Sequence, residues 1–337
     1  MRFCGIDLHS NNSVVAIIDE NDRVLYQRRL PNDLEMVLKA LAVHREELSG
    51  VVIEATFNWY WLVDGLQAAG YVTHLANPGA LKRYEGLKHS DDDTDAVFLA
   101  HALRLGILPT GYICPPEQRA LRDLARKRMQ LVRTRTAQVL AVENIVARQC
   151  GNRITCNAVK RLDAAGIEAL ELPARVARAV AANVAVIGVL NKQIAPLEAE
   201  LHAALRDDEG YRWLLSVPGI GRTLAAVIVL ETSTVTRFAN AGKFASYARC
   251  VDSRRLSNGK QKGQGNVRNG NKYLSWAFVE AANFARRFCP EAQRFYERKK
   301  ARTNGIVATK ALGHKLARAC YHMLKEGCAF DVQRCFT

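Results

Sequence analysis

The order of the short apolar runs in residues 1–110 constrains this chain most. Arg2 to Asp7, Ser13 to Ile18 and Val24 to Gln27 are β-branched or apolar stretches, the first two parted by the turn residues Ser10, Asn11 and Asn12. They predict a three-strand meander. The period then changes: Leu34, Val37, Leu38 and Leu41 mark a helix over 33–43, Val51 to Ala55 reads as a buried strand, Tyr60 to Ala69 as a helix and Val72 to Ala76 as another strand. Pro78 and a short helix lead into a helix over 91–105. A hairpin followed by alternating strands and helices describes a mixed α/β sheet, compatible with an RNase H-like fold. This domain is expected to span 1–110, closing near Pro109, Pro115 and Pro116.

From Glu117 to about Leu205 the pattern is helical, broken around Gly151 to Thr155 and at Pro173, which predicts long paired helices of coiled-coil type over 111–208. The first carries Arg119, Arg122, Arg126, Lys127 and Arg128 beside an apolar stripe of Leu121, Leu124, Leu131 and Val132. Such a face fits nucleic acid, and equally an exposed coiled-coil surface. The remaining domain, 209–337, opens on Ser216-Val217-Pro218-Gly219-Ile220-Gly221 and the apolar helix 224–230, a helix-hairpin-helix-like element. Gly219 and Gly221 could offer backbone N–H groups to a DNA phosphate, or form a turn between two core helices. Helices with basic ends are expected over 273–287 and 306–325.

The formal charge of +15 is unevenly divided: residues 1–110 hold 10 Lys+Arg against 15 Asp+Glu, and the remainder holds 38 against 18. One part is suited to cations and the other to a polyanion, whose condensed counterions basic side chains displace. The nine cysteines include no C-x-x-C pair, which argues against a zinc site or a disulfide framework and for reduced, mostly buried thiols. No opening signal-like stretch and no run approaching roughly 20 uncharged apolar residues is evident, so a cytoplasmic protein with no membrane partner is expected.

Four acids stand where a metal site can be assembled. Asp7 interrupts the first apolar strand and Glu54 ends the buried run Val51-Val52-Ile53, positions where a carboxylate is costly unless paired or bound to a cation. Asp92 and Asp95 lie three apart at a helix start and share a face; Asp91 and Asp95, at i and i+4, also would. Together they could hold two Mg²⁺ (or Mn²⁺) ions, which take oxygen ligands and polarise a phosphodiester. Singly, each acid also suits a capped turn or a helix N-terminus.

A second constellation runs Ser253-Arg254-Arg255-Leu256-Ser257-Asn258-Gly259-Lys260-Gln261-Lys262, followed by Arg268 and Lys272. A serine on an Asn-Gly turn amid cations could present its hydroxyl to a phosphate and form a covalent link to DNA. The same string also reads as a disordered basic loop, and no histidine stands nearby as a base.

These residues resemble the DEDD transposases of insertion sequence family 110, relatives of the Piv DNA invertases. The resemblance spans essentially the whole chain, through Gly5-Ile6-Asp7, Ile53-Glu54-Ala55-Thr56, Asn77-Pro78, Asp92-Asp93-Thr94-Asp95-Ala96, Val217-Pro218-Gly219-Ile220-Gly221, Phe244-Ala245-Ser246-Tyr247, Ser257-Asn258-Gly259 and Gly270-Asn271-Lys272-Tyr273. It implies a RuvC-like domain in which Asp7, Glu54, Asp92 and Asp95 hold divalent metal. It also implies a transposase domain whose Ser257 forms a phosphoserine intermediate, with both sites combined across a homo-oligomer (dimer or tetramer). Donor and target DNA would be chosen through a structured RNA from the same element. The chain departs from the pattern in having Ser257-Asn258-Gly259 where many relatives have Ser-Gly, Asp252 where a proline often stands, and Ser275 after Leu274 where an arginine does; these leave Ser253 as a weaker candidate nucleophile. Competing readings are a structure-selective nuclease using water, a non-catalytic nucleic-acid binder and an actin-like ATPase. The last is disfavoured because no glycine-rich phosphate turn follows Asp7.

Overall fold

The computed structural model describes residues 1–81, 92–253, 255–263 and 269–336. They form two compact units, Met1–Pro116 and Glu117–Thr337.

The first unit is built on a six-stranded sheet. Strands β1 (Arg2–Leu8), β2 (Asn12–Asp19) and β3 (Val24–Pro31) form the expected meander, helix α1 (Leu34–Ala42) leads to β4 (Leu48–Glu54), and α2 (Tyr60–Ala68) leads to β5 (Thr73–Ala76). Helices α3 (Pro78–Leu81) and α4 (Asp92–Arg104) precede a two-residue strand, β6 (Thr110–Gly111). The order is β3-β2-β1-β4-β5-β6, with β4 parallel to both β1 and β5 and the outer pairs antiparallel. This is the RuvC/RNase H-like arrangement. Because side chains alternate across a strand, β1 and β4 feed two cores. Cys4, Ile6, Leu8, Val51 and Ile53 pack with α1 and α2 on one face, while Val52 meets Leu99 of α4 on the other.

Helix α4 lies against β1 at Gly5, where an added Cβ would fall 2.0 Å from the Ala96 carbonyl oxygen and 2.7 Å from the Ala100 nitrogen. Its far end is tied to the β2–β3 turn: His101 Nδ1 lies 2.8 Å and Arg104 Nε 2.6 Å from Asp22 Oδ1. The His101 hydrogen bond, then Arg104, holds the Asp22 carboxyl below its ordinary range. That turn follows Asp19, which pairs with Arg2 at the start of β1. Helix α4 thus runs antiparallel to β1, and its first turn comes to the sheet end that bears Asp7.

The second unit begins with a helical pair. Helix α5 (Pro116–Cys150) is followed by the short α6 (Cys156–Val159) and α7 (Ala164–Glu168), then by α8 (Ala174–Leu205) returning antiparallel. The rungs are Gln138 with Asn183 at 2.7 Å, Arg135 with Asn191 at 2.7 Å and Arg128 Nε with Glu198 at 2.8 Å. The sequence led us to expect no run apolar enough to cross a bilayer. Among the described residues one helix, Ala174–Leu205, reaches that length and hydropathy, with 17% of its apolar window buried. Its outward residues include Ala182, Ala185, Val186 and Val189.

The rest of the unit comprises α9 (Glu209–Leu215), α10 (Arg222–Thr232), α11 (Ala241–Tyr247), strands β7 (Arg255–Ser257) and β8 (Lys260–Gly263), α12 (Lys272–Phe288), α13 (Pro290–Arg302), α14 (Gly305–Glu326) and α15 (Val332–Phe336). Phe244, Phe278, Leu274, Leu312 and Leu316 are fully buried at its centre. Gly219, at φ +87°, sits so close to α12 that a Cβ would lie 2.5 Å from the Ala281 oxygen and from the Ala285 nitrogen. Its turn serves helix packing; Gly221, N-cap of α10, faces open space.

At the end of α10 the carboxylate of Glu231 is 4% exposed. Arg126 grips it with Nε at 2.6 Å and Nη2 at 2.8 Å, and Asn271 Nδ2 donates to it at 2.7 Å. The Arg126 guanidinium also lies 4.6 Å from the Tyr273 ring centre. This changes the reading of the α5 basic face. Arg119 is buried at 3% exposure, and Arg126 and Arg128 are ion-paired to Glu231 and Glu198. Arg126 turns into its own unit because the buried carboxylate of Glu231 demands a counter-charge, while Arg128 pairs with the partly exposed Glu198 of α8. Lys127 remains exposed and Arg122 is half-buried.

Two outcomes follow in thermal or denaturant unfolding. Arg126→Ala, which strands a buried charge, lowers stability by about 3–5 kcal/mol. Gly5→Ala forces α4 off the sheet and lowers it by about 1–3 kcal/mol, as overpacking does.

Candidate active site

Residues Ile6 and Ile53 are register partners in the parallel β1–β4 pair, so Asp7 and Glu54 follow side by side at the carboxyl ends of adjacent strands. Both alternate onto the face covered by α4, the face of Gly5 and Val52. Asp7 is 5% exposed, and Glu54, on the rim, is half-buried. The first turn of α4 brings Asp95, exposed, and the backbone of Asp92 to this sheet end. Asp91 lies outside the described residues. Asp7 and Glu54 thus stand side by side at one end of the sheet, and the α4 N-terminus runs toward that end.

Three further residues shape it. His9 Nε2 lies 3.1 Å from Asp7 Oδ2. The His9 carbonyl accepts from the amides of Asn32 at 3.0 Å and Asn58 at 2.9 Å, and these are oriented in turn by Ser13 and Thr56. The loops after β1, β3 and β4 are fastened to one another beside the carboxylates. Sequence reasoning passed over His9, Asn32 and Asn58, which obey no periodicity; the only cue is their position just after strands. Among the described residues no three His, Cys, Asp or Glu side chains form a ready metal group. Asp7, Glu54 and Asp95 could offer only hard carboxylate oxygens, which suit Mg²⁺ or Mn²⁺ better than a thiophilic ion.

The serine string folds as a hairpin. Asn258 and Gly259, with φ of +49° and +69°, form a two-residue turn of the kind that requires positive φ at both central positions. Ser257 closes β7 directly opposite Lys260, both exposed at the tip, with Lys262 exposed on β8. The hairpin base is fixed. Arg249 Nε donates to the Gly270 carbonyl at 3.0 Å, and the Asn271 N–H donates to the Tyr247 carbonyl at 2.6 Å. The Asn271 side chain also caps α12 at the Tyr273 and Leu274 nitrogens while donating to Glu231. Burial pushes the Cys250 thiol up to about 12, against the pull of the Lys310 charge, so this neighbouring cysteine stays a protonated thiol. Ser253 is half-buried, whereas Ser257 is exposed.

Arg254 and Arg268 lie outside the described residues, and only the backbone of Arg255 is described. Lys272 opens α12 with its ammonium 5.2 Å from the Tyr273 ring centre. Asp7, Glu54 and Asp95 belong to the first unit, Ser257 to the second. All nine cysteines are free; Cys4, Cys114, Cys289 and Cys320 are buried, while Cys150 and Cys156 are exposed.

Comparison with known proteins covers both units. A DEDD transposase model of the IS110 type, described as "Transposase", matches residues 4–149, and the model "Transposase IS116/IS110/IS902 family" matches 211–297. The first match contains Asp7, Glu54, Asp92 and Asp95, and the second contains Gly219 and Ser257. A "probable family 20 transposase" of Pseudomonas aeruginosa is 27% identical over 96% of this chain and 97% of its own length. The transposase for insertion sequence element IS1328 of Yersinia enterocolitica is 26% identical over 97% of this chain and 98% of its own. That for IS1111A of Coxiella burnetii is 23% identical over 84% and 77%. With matches to both units, together more than half of its length, the chain belongs to the IS110 family of insertion-sequence transposases.

Proposed function

We propose that this transposase cuts and rejoins DNA through a carboxylate site made by Asp7, Glu54, Asp92 and Asp95 and a nucleophilic serine, Ser257. The observation that carries the first half is the pairing of Asp7, nearly buried, with Glu54 at the ends of adjacent parallel strands under the first turn of α4. The register of the parallel pair fixes the two acids beside each other, and neighbouring carboxylates raise the local negative charge that a divalent cation offsets. When bound, Mg²⁺ or Mn²⁺ supplies positive charge against the phosphate and the departing oxygen. The protein's own part is to fix the two carboxylates on rigid strand ends. The His9, Asn32 and Asn58 network keeps the surrounding loops in place.

The serine half rests on Ser257 standing exposed on a tight turn, with Lys260 opposite it to offset phosphate charge. In the covalent step the Ser257 Oγ forms a bond to phosphorus as the bond from phosphorus to a sugar oxygen breaks, and the proton lost from Oγ ends on that oxygen, which leaves as a sugar hydroxyl. Attack by a sugar hydroxyl of the other DNA on the phosphoserine restores the serine and joins the strands, so no net bond energy is consumed. A homo-oligomer brings the two sites to the same phosphate, and a structured RNA of the element selects donor and target DNA.

With nucleic acid copurified and matching DNA supplied, Ser257→Ala abolishes protease-sensitive DNA adducts and recombinants, and Asp7→Asn or Glu54→Gln lowers joining on the order of 100-fold or more. Cutting that survives Ser257→Ala but not Asp7→Asn assigns water as the nucleophile and defeats the serine reading. Chelation with EDTA stops joining, and added Mg²⁺ or Mn²⁺ restores it; joining unaffected by EDTA contradicts the carboxylate site.

A further inference from the structure

Arg119, Arg126 and Arg128 of α5 are buried or ion-paired within their own unit, and a separate concentration of exposed positive charge lies elsewhere in that unit. A cleft of about 1490 Å³ opens between α13, α14, residues 250–252 and residues 328–335 of the second unit. Its floor is apolar, with the half-buried Phe295, Ala311 and Ala319 and the buried Met323. Its walls carry Arg298, Lys299 and Arg302 from α13 and Lys310 and Arg318 from α14. All five are exposed, and none forms an ion pair among the described residues. By contrast, Arg334 is held by Glu326 and Lys315 rests over the rings of Phe295 and Phe336. The acids on the lining are Asp252 and Asp331, and Asp331 caps the α15 turn at the Arg334 nitrogen.

Cations crowded in one cleft, with no ion-pair partners among the described residues, repel each other, a cost that a bound polyanion removes. The sites on α14 recur at Lys310, His314 and Arg318, every fourth residue, so they stand about 6 Å apart on one helix face. That separation is comparable with the distance between successive phosphates along a strand. An apolar floor under a basic rim matches an extended strand whose sugars and bases face inward while its phosphates meet the walls. One lip of the cleft, Cys250 to Asp252, is the run of chain that leads into β7 and Ser257.

We propose that this cleft binds the phosphate backbone of one DNA strand and leads it toward the Ser257 hairpin. The assignment to DNA rests on the family's substrate and is independent of whether Ser257 or water attacks.

The test is binding without chemistry. The full chain, in EDTA, is titrated onto a 5′-labelled mixed-sequence single-stranded DNA and onto RNA of the same sequence, across a salt series. The triple variant Arg302→Gln/Lys310→Gln/Arg318→Gln is compared with wild type and with Arg206→Gln/Arg212→Gln, which removes exposed charge from outside the cleft. Because all these side chains are exposed, folding is retained, and near-UV circular dichroism verifies it for each protein. The expected result is a loss of DNA affinity of tenfold or more in the cleft variant. The slope of log affinity against log salt becomes shallower by about 2, close to 0.7 for each phosphate no longer neutralised, with little change in the control. Equal affinity and slope in cleft variant and wild type, an equal loss in the control, or a loss confined to RNA each overturns the proposal. These readouts are unaffected by failure of the carboxylate or serine readings, which concern chemistry and not strand binding.

Discussion

A buried carboxylate on α10 organises the second unit. Glu231 cannot remain charged inside a helical core without partners, and the two it recruits come from distant parts of the chain. Arg126 brings the long helix α5 against α10. Asn271 brings the point where the hairpin of Ser257 returns to the core, and at the same time caps α12. Arg237 reinforces the arrangement by donating to the carbonyls of Thr232 and Glu231 at 3.0 and 3.1 Å. The base of an exposed, basic hairpin is thereby fixed by the least negotiable interaction in its unit, while the tip that carries Ser257 stays open to a ligand.

The first unit follows the same logic with the opposite outcome. There the nearly buried acid is Asp7; the adjacent strand delivers a second carboxylate, Glu54, and the imidazole of His9 lies 3.1 Å away. A fold that pairs one acid with an arginine and sets another beside a further acid uses burial for structure in the first case; in the second it leaves two carboxylates at adjacent strand ends, the arrangement on which the proposed cation site rests. The small residues Gly5, Ala96 and Ala100 let α4 lie directly on β1, which brings its acidic first turn to that end of the sheet.

Much of this was legible in the sequence. The strands of the meander, the β4 and β5 runs and helices α1, α2, α5 and α8 follow hydrophobic period alone, and with them the mixed sheet. Asp7 and Glu54 stood out because acids are rare in such runs. Strand β6 did not, since two residues carry no period and exist as a strand only by pairing with β5. Helix α13 escaped because its charged sequence buries little beyond Ala292 and Tyr296. The fate of Arg126 was unreadable because its partner lies 105 residues away. The Asn-Gly turn at Ser257 read as a loose loop, since the flanking residues are polar and lack the alternation that marks a hairpin; its positive φ angles became evident only in the fold.

The serine mechanism stands or falls on which atom becomes linked to DNA. Wild-type protein reacted with DNA and trapped before rejoining can be digested and the nucleotide-bearing peptide sequenced by mass spectrometry. A phosphodiester on Ser257, at the hairpin tip, is the expected result. A nucleotide on Ser253 or on any other side chain, or cleaved DNA with no protein attached, would contradict it.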